Sequence, residues 1–202
     1  MTITWMGHAC FMLESGGFRV LLDPFKEVPG LTDIEAEADA VYCSHGHFDH
    51  CWTDNITLSG REDSPFILKE IPAFHDEVGG TKRGENMIRS LTAEGVSVVH
   101  LGDLGHQLSA EQVAAIGRCD ALLIPVGGTY TLDPAEAKAV ADALHPRIIV
   151  PMHYRKGGMG FDVLRTVEEF TAQYPAESVK EYDCATLAVD ETTPCQVAVL
   201  RV

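Results

Sequence analysis

Four residues able to bind a divalent metal fall within six positions: His45, His47, Asp49 and His50, in Ser44-His45-Gly46-His47-Phe48-Asp49-His50. Imidazole and carboxylate donors suit zinc, manganese or iron. In a loop, the alternate residues His45 and His47 can turn toward one ion. Asp49 and His50, one turn later, can face a second ion beside it. Gly46 lets the backbone turn without a side chain in the way. Six residues cannot enclose two ions, because each ion needs three or four protein ligands and an open position for water. Three further candidates are His75, Asp103 and His153. Each follows an expected strand, so all three could share one rim with the first cluster.

These ligand-type residues lie among other telling stretches. They include Trp5-Met6-Gly7-His8, Leu22-Asp23-Pro24, Phe74-His75-Asp76, Arg83-Gly84-Glu85-Asn86, Gly102-Asp103-Leu104-Gly105-His106, Pro125-Val126-Gly127-Gly128 and Pro151-Met152-His153-Tyr154. Together they resemble the metallo-β-lactamase superfamily, whose signature is HxHxDH followed by a separated His, Asp and His. More closely, the sequence is similar to the small bacterial and archaeal metal-dependent hydrolases related to ascorbate-6-phosphate lactonase. The resemblance implies a four-layer αββα sandwich, an α/β fold, as a single domain over residues 1–202. It implies that His45, His47 and His75 hold one metal, that Asp49, His50 and His153 hold the other, and that Asp103 bridges them. Asp23 matches an early acidic motif and would orient the histidine loop from behind.

Two ions about 3.5–4 Å apart can share a water and lower its pKa toward neutrality, so the expected nucleophile is hydroxide. Asp49 would hold the second ion and handle the proton of that water. No serine or cysteine nucleophile has a supporting arrangement. His106 is a candidate proton donor to a leaving group. His8, Arg83, Asn86, Tyr130 and Tyr154 are candidate substrate-binding residues, with Lys156 a further polar group. His100, inside an apolar strand, reads as a satisfied core histidine, and His145 as a structural residue at a helix end.

The elements that must carry these residues read as strands first and alternating strands and helices later. Strands are expected at Thr2–Trp5, Cys10–Leu13, Arg19–Asp23, Asp39–Ser44, Phe66–Ile71 and Val96–Leu101. Ser109 with Gln112 forms a capping box, and Gly117 can end that helix. Asp133, Pro134 and Glu136 start a second helix that ends before His145-Pro146. Asp162–Gln173 reads as a third. Ala121–Val126, Arg147–Met152, Leu187–Val189 and Gln196–Val202 read as strands. This alternation suits two sheets covered by helices.

The chain of 202 residues carries a net charge of −15, which repels phosphate backbones and disfavours a nucleic-acid partner. No apolar run reaches the roughly 18–20 residues of a membrane span, and no export signal is visible, so a cytoplasmic location is expected. The six cysteines, Cys10, Cys43, Cys51, Cys119, Cys184 and Cys195, form no CxxC pair and read as reduced core residues. Cys184 and Cys195 could be cross-strand neighbours. The expected activity is hydrolysis of an ester-type bond, such as a phosphodiester or lactone, in a small substrate that could be anionic. The cofactor expected is two divalent ions, zinc or manganese, with iron also accommodated. The alternative is an iron-dependent oxidoreductase resembling persulfide dioxygenase on the same fold. An RNA-processing nuclease fits the acidic chain poorly. Sequence leaves a homo-oligomer open.

Overall fold

Glycine-bearing turns cut the first part of the chain into short strands. The computed structural model describes residues 1–202. It opens with β1 (Thr2–Gly7), β2 (Cys10–Ser15) and β3 (Phe18–Leu22), followed by β4 (Ala36–Ala38), β5 (Ala40–Tyr42) and β6 (Ile56–Leu58). Next come β7 (Ile67–Phe74), β8 (Glu85–Ala93) and β9 (Val96–His100). The second half alternates: α1 (Ala110–Ile116), β10 (Ala121–Pro125), α2 (Pro134–Leu144), β11 (Ile148–Met152) and α3 (Val167–Thr171). Three strands close the chain: β12 (Val179–Glu181), β13 (Thr186–Ala188) and β14 (Gln196–Val199).

Two sheets result. The first has the order β13-β1-β2-β3-β5 and the second β12-β14-β11-β10-β9-β8-β7, while β4 and β6 pair by themselves. In the first sheet β5 runs parallel to β3. In the second, β9, β10, β11 and β14 are parallel neighbours, and β7 points the same way as β9 because β8 is antiparallel to both. The C-terminal ends of β7, β9, β10 and β11 therefore share one edge. Ligand sites in open α/β sheets form beyond such ends.

The inner faces of both sheets build one core of 42 buried residues. Phe11 and Leu13 from the first sheet meet Ile88 and Val98 from the second in that core. Each fully buried side chain of this size contributes about 1.5–3 kcal/mol. The outer face of the first sheet is covered by Phe25, Val28, Ile34 and Ala38, packed on Cys10 and Leu21. That outer layer is loop and short strand; every α-helix lies at residue 110 or beyond.

Both helix starts follow from local chemistry. Ser109 and Gln112 form a reciprocal capping box, as do Asp133 and Glu136, with Pro134 opening α2. The third helix is shorter than its sequence suggests. Residues 162–165 spend their backbone groups elsewhere: Arg165 N–H donates to Gly127 O, and Arg165 O accepts from Arg155. Strand β8 was not expected at all. Strand β7 runs past Pro72, which an edge strand tolerates because its outer N–H needs no partner.

At the opposite edge, Asp120 accepts from Ser97 N–H, Arg118 and Arg147 while 4% exposed. Burial raises its carboxyl pKa, but these donors outweigh burial and hold it below the usual range. Its contribution is therefore complete above the pKa of the unfolded chain and is lost as pH falls through the lower folded value. Asp120→Ala should cost about 3 kcal/mol in urea unfolding at pH 7 and flatten the acid limb of the stability profile. An unchanged acid limb would show that Asp120 plays no such part.

Candidate metal centre

The seven ligand-type residues converge from two sheets. Asp23 follows β3 and the His45–His50 loop follows β5, at one edge of the first sheet. His75 follows β7, Asp103 follows β9 and His153 follows β11, at the facing edge of the second. Close approach of these loops requires glycine. A Cβ on Gly102, which sits at φ 56°, would collide with Ser44 Cβ and Asn86 Oδ1. A Cβ on Gly127 would collide with His153 O.

Asp103 lies at the centre, with its side chain 3% exposed. Its Oδ1 is 3.2 Å from His50 Nε2, and its Oδ2 is 3.1 Å from His75 Nε2 and 3.3 Å from His153 Nε2. His45 Nε2 lies 3.0 Å from His47 Nδ1. The donor atoms of His45, His47 and His75 form one group within 4.8 Å, and those of Asp49, His50 and His153 fall in another, together with His8.

The histidines are held from behind. Asp23 accepts from Ser44 N–H at 2.6 Å and pairs with His50 Nδ1 at 2.8 Å, which leaves His50 Nε2 facing inward. His75 Nδ1 bonds Tyr130 O at 3.1 Å, and His45 Nδ1 meets Ser44 Oγ at 2.9 Å. Tying one ring nitrogen fixes the other for a metal. His50 Nε2 and Asp103 Oδ1 are buried 3.2 Å apart and neither has any other hydrogen-bond partner, as expected of atoms meant for an ion. The donor set therefore fits divalent metal.

Among protein groups alone, burial lowers His45 to about 3, so it is a neutral donor at neutral pH. Burial also pulls His50 down, but Asp103 and Asp23 outweigh it and raise that imidazole well above its ordinary value. Burial would raise Asp103, yet the surrounding histidines hold it well below the carboxylate range.

A cavity of about 380 Å³ opens over these residues, lined by His47, Phe48, Asp49, His75, Arg83, Asp103, Tyr130, His153 and Phe161. Arg83 and Tyr130 are therefore at the mouth. The Arg83 guanidinium sits 5.7 Å over the Tyr130 ring and donates to Thr129 O. The Arg83 loop is built by Asp76, whose carboxylate accepts from Val78, Gly80, Lys82 and Arg83 N–H. Asp76 thus neither orients His75 nor faces water. Phe48 and Phe161 were not anticipated; Phe48 lies inside the histidine motif, but a phenyl ring carries no ligand signal. A larger cleft of about 780 Å³, lined by Trp5, Leu31, Tyr154, Met159 and Tyr182 among others, holds none of the clustered metal donors.

Four sequence-based assignments change. His106 Nε2 accepts from Phe74 N–H at 3.1 Å and its Nδ1 bonds Gln107 O, so both nitrogens are committed to backbone and neither is free to serve a leaving group. Asn86 is buried; it donates to Leu101 O and accepts from Asp103 N–H, so it shapes the Asp103 loop rather than holding substrate. Tyr154 is buried against Trp5 and lines the other cleft. His8 is buried behind the cavity against His153 and Asp49, out of substrate reach. His100, by contrast, is a satisfied core residue, paired with Ala9 O and Gly102 N–H.

The cysteines also differ from expectation. Cys43 and Cys51 form a disulfide that brackets the histidine motif, and Cys184 and Cys195 are exposed free thiols. Only Cys10 and Cys119 are buried free thiols. Closing so short a loop constrains the unfolded chain by about 2–3 kcal/mol. Protein unfolded without reductant should titrate as four thiols, rising to six after reduction. Six thiols before reduction would show the pair to be open.

Known proteins resemble this chain over most of its length. The descriptor of the beta-lactamase superfamily domain matches residues 2–153. A UPF0173 metal-dependent hydrolase of Pyrobaculum islandicum is 31% identical, over 76% of this chain and 84% of its own. One from Thermoplasma acidophilum is 29% identical, over 84% of this chain and 88% of its own. A crystal structure from Thermotoga maritima, described as a candidate zinc-dependent hydrolase of the metallo-beta-lactamase superfamily, superposes with a TM-score of 0.79. It is 36% identical and covers 98% of this chain and 97% of its own. No helix here is long and apolar enough to cross a membrane. With its clustered His and Asp donors at the facing sheet edges, this chain belongs to the beta-lactamase superfamily, as a metal-dependent hydrolase.

Proposed function

We propose that the chain cleaves an ester-type bond, a phosphodiester, a lactone or a related group, in a small anionic substrate. The observation that carries this reading is the convergence of two donor groups on one buried carboxylate, Asp103. His45, His47 and His75 would hold one ion, Asp49, His50 and His153 the other, and Asp103 would serve both. Zinc or manganese suits these donors, and iron is accommodated. When bound, the pair supplies Lewis acidity and a water acidic enough to attack near neutral pH.

The remaining steps belong to the chain. Asp49, 16% exposed and on the cavity wall, is placed to take the proton of the attacking water. Arg83 is the cation at the mouth and would hold an anionic group of the substrate. Phe48, Phe161 and Tyr130 would flank its apolar part and limit water. With a net charge of −15, a nucleic-acid partner is not part of the proposal. A cytoplasmic location is, although the Cys43–Cys51 disulfide weighs toward a less reducing setting.

The test is hydrolysis of phosphodiesters and lactones by protein loaded separately with zinc or manganese, with Asp103→Ala as control. Metal-dependent turnover that disappears in the control is the expected result. No turnover with either metal, together with oxygen consumption by iron-loaded protein, would replace this reading with an iron-dependent oxidoreductase.

A further inference from the structure

The fold positions His8 with more care than a core residue needs. It sits in the β1–β2 turn at φ 51°, a left-handed conformation uncommon for a side chain of this size. Its carbonyl is fixed twice, by Trp5 Nε1 at 3.0 Å and by His153 N–H at 3.1 Å. Its ring is fully buried, tilted against His153 at 4.1 Å between centroids and edged by Phe25 and Phe161. Its Nδ1 has no hydrogen-bond partner, and its Nε2 meets only a carboxylate, at 3.4 Å. Leaving a buried polar atom unpaired costs about 1–3 kcal/mol. This fold does pair a structural histidine: the equally buried His100 uses both nitrogens.

His8 Nε2 instead faces Asp49 Oδ2 at 3.4 Å, and its donor atom lies within 4.8 Å of those of Asp49, His50 and His153. Two nitrogens on one zinc ion are at most about 4.2 Å apart. The His8–Asp49 separation, at 3.4 Å, satisfies that limit, and the remaining donor atoms lie close to it, all within 4.8 Å of one another. We propose that His8 is a ligand of the second metal ion, alongside Asp49, His50 and His153. The inference rests on the two-metal reading above. It gives the second ion five protein donors, counting Asp103, against four at the first. The first ion then keeps the more open position, where water and substrate enter, while the second is anchored.

Cobalt(II) titration of the whole protein, read by visible absorption and by hyperfine-shifted imidazole proton resonances, tests this. His8→Asn is the variant of choice, since asparagine tolerates the left-handed turn. His8→Gln is the second, and circular dichroism confirms that each is folded. The expected result is about 100-fold weaker binding of the second equivalent, with the shifted resonances of one imidazole lost. Weaker binding with every imidazole set retained would make His8 a positioning residue and overturn the proposal. Unchanged binding and spectra would overturn it as well. Failure of the unsubstituted protein to take two equivalents would overturn the two-metal reading, and this inference with it.

Discussion

Replacing Asp103 by alanine should lower kcat/KM on the order of 10³-fold or more and release at least one of the two metals. The carboxylate is within 3.1–3.3 Å of histidine nitrogens from both donor groups. No other carboxylate in the site reaches His50, His75 and His153 at once. Removing it takes a negative charge from a buried site and leaves the ions without their shared anchor. Several kcal/mol of transition-state stabilisation depend on such a centre, and each 1.36 kcal/mol is a factor of ten in rate. Asp103→Asn preserves the side-chain volume and should lose most of the same activity, which separates charge from packing. Elemental analysis and steady-state kinetics on both variants provide the check. Two retained metals with turnover within tenfold of the unsubstituted protein would sink the bridging role.

Asp23→Ala should be nearly as damaging, although Asp23 is not among the proposed ligands and acts through His50. Its carboxylate takes Ser44 N–H, Ser44 Oγ and His50 Nδ1, and it lies fully buried at φ 46°. The variant leaves those buried groups unpaired and puts alanine in a left-handed conformation. Stability should fall by about 3–5 kcal/mol, the usual cost of breaking a buried charged network. Metal affinity should fall about 10–100-fold, because His50 loses the contact that fixes its ring. Asp23→Asn tolerates the backbone and can keep one of the contacts, so it should fall between. Urea unfolding and equilibrium dialysis measure the two effects separately. Lost stability with unchanged metal affinity would mean that Asp23 is structural alone.

Much of the centre was legible because its residue types are chemically rare and close together. His45, His47, Asp49 and His50 announce a ligand loop without any knowledge of the fold. The starts of α1 and α2 were equally legible, since a capping box is a local signal. Side-chain direction was not. Tyr154 follows His153 directly, yet the chain turns at His153, which lies past the end of β11 at φ 54°, and Tyr154 lines the opposite cleft. Asn86 and His106 stand beside true site stretches but spend their polar atoms on backbone. Strand β8 escaped because its buried positions include Asn86 and Ser90, which blur the expected alternation. Ser90 is satisfied by Ser97 Oγ across the sheet, a partner that only tertiary structure supplies. The Cys43–Cys51 bond depends on how tightly the loop between them folds back, which spacing alone does not report.

The ligands belong to two sheets, and each sheet carries only part of either donor group. Bound ions would rivet the two sheet edges together. Release of the more deeply held second ion is then a mechanical event of the two sheets: the edges must part before it can leave. Its rate would be set by how often the interface breathes, and a substitution deep between the sheets, at Leu13 or Val98, would quicken exchange from a centre it never touches.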